Sequence, residues 1–136
     1  MKGKISTSWK ASKQPRKQRK YLANAPLHLK GRFLSSNLSK DLRKKHGKRS
    51  LPVRKGDTIR IMRGKFKGKQ GKITRVNTKT AGIEVEGIQI KKQDGSKVNV
   101  KLQPSNLQII ELDVQDSRRL GENNQKNKKV EVKNAP

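Results

Sequence analysis

Ile59-Arg60-Ile61-Met62-Arg63-Gly64-Lys65-Phe66-Lys67-Gly68-Lys69-Gln70-Gly71-Lys72-Ile73 is the stretch on which the reading of this chain turns. Ile59 and Ile61 alternate with Thr58, Arg60 and Met62, the period of a half-buried strand. From Arg63 to Lys72, five basic residues are interleaved with glycines and one aromatic before apolar β-branched residues resume. Glycine permits positive φ and close backbone approach, so this is a tight connection between two strands.

Working outward, the same period of two recurs. Ile83 and Val85 alternate with Glu84 and Glu86, Ile88 and Ile90 with Gln89 and Lys91, and Val98, Val100 and Leu102 with Lys97, Asn99 and Lys101. Asp94-Gly95 between two such runs predicts a hairpin. Ile73 and Val76 are out of phase, which predicts a bulge in the strand around 71–76. A last strand covers 107–112, its phase broken by adjacent Ile109 and Ile110. Five or six short strands in about sixty residues point to a small barrel. The expected core is Ile59, Ile61, Ile73, Val76, Ile83, Val85, Ile88, Val98, Val100 and Ile109, with Glu84, Glu86, Glu111 and Asp113 on a solvated face.

Ahead of this unit, residues 36–47 predict a short helix. Ser39 is a suitable N-cap, Asp41 sits in the first turn, Lys44 and Lys45 sit in the last, and Gly47 suits the left-handed position that ends it. Leu38 and Leu42 would share its face. Residues 1–35 carry ten Lys/Arg and no acid, show no sustained periodicity, and are interrupted by Gly3, Pro15, Pro26 and Gly31. They read as an extended basic arm holding Trp9, Tyr21 and Phe33. The expected organisation is a 1–35 arm, a 36–50 short helix and linker, a 51–114 mainly β barrel, and a 115–136 polar tail with a helical turn near Asp116–Leu120.

Charge defines the partner. Residues 1–80 hold 26 Lys/Arg against two acids, Asp41 and Asp57, whereas residues 81–136 hold ten against eight. Nearly all of the net +26 thus sits in the first part of the chain. A surface so charged repels itself and needs a dense anionic partner, best matched by a nucleic-acid phosphate backbone. Only 29% of the chain is apolar, so one modest core with arms that order on a partner is expected.

Other classes are disfavoured. There is no cysteine, hence no disulfide, thiolate metal site or cysteine nucleophile. His28 and His46 lie far apart without an acidic cluster between them, so no metal or other cofactor is expected. No carboxylate cluster or paired nucleophile suggests an enzyme, and no small-molecule substrate is implied. No apolar run reaches membrane-spanning length, and the basic N-terminus has no apolar h-region, so a cytosolic, reducing location is the default. Asn37-Leu38-Ser39 fits a glycosylation sequon without a secretory route. The glycine run is not a P-loop, because Lys72 is followed by Ile73 and Phe66 takes the earlier glycine position. Nor is it a dinucleotide fingerprint, because the spacing is Gly64, Gly68, Gly71 and β-branched residues follow. What remains is a basic loop meeting phosphates with exposed amides and Lys/Arg heads, or a merely solvated hairpin.

Val53-Arg54-Lys55-Gly56-Asp57-Thr58-Ile59-Arg60-Ile61, then Gly64 to Ile73, then Ile83-Glu84-Val85-Glu86-Gly87, closely resemble a KOW motif. With Leu38-Ser39-Lys40-Asp41-Leu42-Arg43 and Arg49-Ser50-Leu51-Pro52 upstream, residues 24–112 resemble the KOW-domain family of the large ribosomal subunit, the universal twenty-fourth protein family, in its longer archaeal and eukaryotic form. The uninterrupted Gly68-Lys69-Gln70-Gly71 looks more archaeal. The resemblance implies an SH3-like barrel bound to large-subunit ribosomal RNA, near the peptide exit tunnel and early in assembly, with neighbouring ribosomal proteins as further partners. Lys65, Lys67, Lys69 and Lys72 match positions facing RNA, and Arg54 and Lys55 match basic positions at the barrel entrance. The alternative is a KOW module of a transcription elongation factor, although the α/β domain that normally precedes such a module cannot be this basic arm.

The expected RNA-binding set is therefore the loop (Arg63, Lys65, Phe66, Lys67, Lys69, Lys72), the barrel entrance (Arg54, Lys55), Arg32 and Arg49, and the arm residues Trp9, Lys10, Lys13, Arg16, Lys17, Arg19 and Lys20. Phe66 stacks on a base or caps the barrel end. Trp9 is read as an intermolecular contact and Phe33 as intramolecular packing. Arg16 and Arg19 suit defined geometry, since guanidinium binds phosphate bidentately.

Overall fold

A computed structural model describes residues 11–120. Two helices come first, α1 (Pro15–Asn24) and α2 (Leu27–Phe33). The extended arm expected here is thus helical over most of 15–33. The prolines begin the helices instead of interrupting them: Pro15 occupies the first turn of α1, and Pro26 is the residue before α2. A missing N–H costs nothing in a first turn, where it would have no intrahelical acceptor. Neither helix buries a residue fully. Tyr21 of α1 and Phe33 of α2 meet edge-to-face with ring centroids 6.0 Å apart, and Lys30 Nζ donates to the Ala23 carbonyl at 3.3 Å.

β1 (Ser35–Leu38) follows directly, then α3 (Lys40–His46) and β2 (Ser50–Pro52). α3 is capped as its sequence dictates: Ser39 Oγ accepts from the Leu42 N–H at 3.3 Å, and Gly47 at φ +62° donates to the Arg43 carbonyl at 2.8 Å. Leu38, however, lies in β1 rather than on a helix face, and is fully buried. The sheet therefore begins at Ser35, ahead of the expected start at 51.

β3 (Thr58–Ile61), β4 (Gln70–Asn77), β5 (Gly82–Val85) and β8 (Leu107–Glu111) complete a six-stranded sheet of order β2-β1-β8-β3-β4-β5. β6 (Gln89–Lys91) and β7 (Lys97–Asn99) form a separate hairpin. Every pair is antiparallel except β1 with β8, where Asn37 faces Gln108 and Leu38 faces Ile109. The predicted bulge is present: register shifts between Ile73 and Arg75. The β6–β7 turn runs through Asp94 and Gly95, with Gly95 at φ +86° donating to Lys92. Asp94 Oδ1 accepts from both the N–H and the hydroxyl of Ser96, and these bonds lower its pKa.

No ladder joins the β2 and β5 edges among the described residues, so the pairing is open rather than a closed barrel. Ile83 of β5 does exchange both backbone hydrogen bonds with Leu102, each at 2.8 Å. The core comprises Leu34, Leu38, Leu51, Val53, Ile59, Ile61, Ile73, Ile83, Val85, Ile88, Leu107, Ile109 and Leu120. Of the expected core, Val76 and Val100 are only half-buried, and Val98 is exposed together with Ile90, because a two-stranded ribbon has no layer above it. Asn37 of the sequon sits within the sheet with its Oδ1 buried.

Candidate nucleic-acid interface

The 62–69 loop joins β3 to β4 as a compact hairpin turn. Ile61 donates to Lys69 at 2.9 Å, Gly68 donates back to Ile61 at 2.8 Å, and Lys67 donates to Gly64 at 3.0 Å. Gly64 and Gly68 sit at φ +93° and +88°, which side-chain-bearing residues rarely adopt. Gly71, just inside β4, is needed for another reason: a Cβ there would lie 2.8 Å from both the Glu86 carbonyl oxygen and Val85 Cγ1.

This scaffold leaves Arg63, Lys65, Lys67 and Lys69 exposed, with no carboxylate paired to any of them among the described residues. Phe66 turns the other way. It is half-buried against the core, with Lys69 Nζ 5.5 Å from its ring centroid. Its position fits capping of the sheet end, and it anchors the loop from beneath. Lys72 is exposed on β4, away from the loop tip.

Topology sorts the remaining cations. β1 and β8 run parallel to each other and antiparallel to β3. The N-terminal ends of β1 and β8 therefore lie beside the C-terminal end of β3. Two hydrogen bonds tie that end together: Met62 donates to the Asn106 carbonyl at 2.8 Å, and Ser36 Oγ donates to the Pro104 carbonyl at 2.7 Å. The 62–69 loop thus shares one end of the sheet with the α2–β1 junction and exposed Arg32. Arg49, Arg54 and Lys55 belong to the opposite end, with α3 and the turn into β3. Arg54 is not free: its Nη1 bonds Asp116 Oδ2 at 2.7 Å. That bond, and next the Arg118 N–H, hold the exposed Asp116 carboxyl below its ordinary pKa.

Lys13, Arg16, Lys17, Arg19 and Lys20 are all exposed, the last four on α1. Arg16 and Lys20 stand four apart on one face, and α1 has no acid in its first turn. Like charges at that spacing, and cations at a helix N-terminus, each cost a few tenths of a kcal/mol. An anion along α1 removes both penalties. Trp9 and Lys10 lie outside the described residues.

The residue that sequence reasoning misses is Arg119. By composition the chain from 115 is a tail, yet residues 113–120 are strapped across the 54–57 turn. The Arg119 guanidinium is buried and reaches both oxygens of buried Asp57, the Asp113 carbonyl at 2.8 Å and the Pro52 carbonyl at 3.2 Å. Asp57 also accepts from the Arg54 N–H at 2.9 Å and the Asp113 N–H at 3.0 Å. Asp113 is half-buried in this network rather than on a solvated face. Lys48 Nζ donates to the Leu120 carbonyl at 2.6 Å, adding a second tie. The expected helical turn is present as a 3-10 turn at Ser117–Arg119. The only advance signal is that Asp57 is one of two acids in a strongly cationic stretch.

No helix of the described residues is long and apolar enough to cross a membrane. A sheet bearing a basic loop with no carboxylate partner among the described residues, preceded in the chain by a cationic helix pair, is consistent with the KOW-like motif. A family model that describes the eukaryotic ribosomal proteins L26 and their archaeal L24 counterparts matches residues 12–126, and the chain therefore belongs to that family of large-subunit ribosomal proteins.

Proposed function

We propose that the chain is a structural, non-catalytic constituent that binds and helps organise large-subunit ribosomal RNA, joining the cytoplasmic particle early in assembly, near the peptide exit tunnel and beside neighbouring ribosomal proteins. The observation that carries the reading is the β3–β4 loop: Arg63, Lys65, Lys67 and Lys69 are exposed, unpaired with carboxylate among the described residues, and held on a hydrogen-bonded hairpin. Tunnel location and assembly timing rest on the family resemblance. So does the SH3-like form, in whose favour Ile83 of β5 makes an antiparallel bridge to Leu102.

The mechanism is phosphate neutralisation. Base-edge reading is minor, because few Asn or Gln residues lie in the basic segments. The test is Lys65→Glu/Lys67→Glu/Lys69→Glu in ribosomal RNA binding across a salt series. Each duplex phosphate that is no longer neutralised makes the fall of log K with log salt shallower by ~0.9. An unchanged slope rejects the loop as a phosphate-binding element.

A further inference from the structure

We infer that the opposite end of the sheet is a second phosphate-binding surface, so that the protein bridges two backbone segments of ribosomal RNA; this rests on the reading just given and extends it. Three separate stretches build this end: α3 with the 47–49 connection, the 54–57 turn, and the 113–120 strap. They carry exposed Lys40, Lys44, Lys45, Arg49, Lys55 and Arg118.

The surface is preorganised. The Asp57–Arg119 pair locks strap to turn, Asp57 holds the Arg54 N–H, and Lys48 ties the α3–β2 connection to Leu120. Arg43 Nε donates to the Leu38 carbonyl at 2.9 Å and fixes α3 on β1. Among the described residues, carboxylates do not offset the cations. Asp57 and Asp116 are taken up by Arg119 and Arg54, which leaves Asp41, Glu111 and half-buried Asp113 against the six exposed cations and half-buried Arg43 and Lys48.

Distance makes this end independent of the loop end. β3 spans four residues, and at about 3.3 Å each it separates the 62–69 loop from the 54–57 turn by ~13 Å. That exceeds the screening length of ~8 Å at physiological salt, so an anion at one end does little for the other.

The test is lysine acetylation footprinting of the full chain, free and bound to an in vitro transcript of the large-subunit ribosomal RNA. Severalfold protection of Lys44, Lys45 and Lys55 alongside Lys65, Lys67 and Lys69 is expected. Protection of the loop set alone overturns this inference and leaves the proposed function standing. Protection of neither set overturns both. As a second measurement, Lys44→Glu/Lys45→Glu makes the salt dependence shallower by ~0.9 for each duplex phosphate left unneutralised, additively with the loop variant. A slope equal to wild type overturns the second surface.

Discussion

Arg119 reaches Asp57, 62 residues earlier in the chain, and both side chains are buried. The carboxylate satisfies two backbone N–H groups besides the guanidinium, those of Arg54 and Asp113. One acid thus fixes the turn that enters β3 and the strap that leaves β8.

Removing either partner leaves a buried charge alone, which costs about 3–5 kcal/mol. Asp57→Ala also orphans two backbone donors. It is expected to destabilise more than Arg119→Met in urea unfolding of the full chain. The reverse ranking contradicts the assignment of Asp57 as the hub.

The exposed tie beside it responds to acid. The Arg54 side chain, then the Arg118 N–H, hold Asp116 below its ordinary 3.8. A depressed carboxylate contributes its stabilisation above the unfolded value and loses it as pH falls through the folded one. The strap contact at Arg54 is therefore expected to stay intact down to 3.8 and to loosen only below it. Carboxyl carbon chemical shifts of Asp116 against pH report this directly, and Arg54→Gln should move the midpoint upward.

Two glycines predict opposite outcomes for the same substitution. Gly71→Ala places a methyl 2.8 Å from the Glu86 carbonyl and Val85, in a ladder that cannot yield cheaply, and should cost about 1–3 kcal/mol. Gly31→Ala in α2 meets nothing within 4 Å and should add up to about 1 kcal/mol through helix propensity. Thermal melts of the two variants check the sign.

Phe66 and the lysines around it separate stability from binding. Phe66→Ala removes a half-buried ring from the core edge and should lower the melting temperature. Lys65→Glu/Lys67→Glu relieves like-charge crowding at exposed positions and should leave melting unchanged or raised while weakening RNA binding. A stable Phe66→Ala variant with weakened RNA binding would instead mark the ring as a base-stacking group.

Much of the β unit is readable because its signals are local. Ile59 and Ile61, Ile83 and Val85, the Asp94-Gly95 turn, the bulge after Ile73, and the Ser39 and Gly47 caps each act over a few residues. The loop cations are legible for the same reason, since glycine spacing and charge are written consecutively. The helices at 15–33 escape a reading that treats proline as a break, because the same residue also starts helices. Ile90 and Val98 alternate correctly yet stay exposed, because alternation shows a strand but not whether another layer covers it.

The strands from β3 onward, the caps of α3 and the cationic character of the first eighty residues thus follow from the order of amino acids, since short-range sterics and composition suffice for them. Folding alone decided that β1 joins β8 in parallel, that Arg119 closes on Asp57, and that the basic residues divide between two ends of the sheet. Those arrangements depend on contacts between segments some sixty or seventy residues apart, and no neighbouring residue encodes which distant partner will be reached.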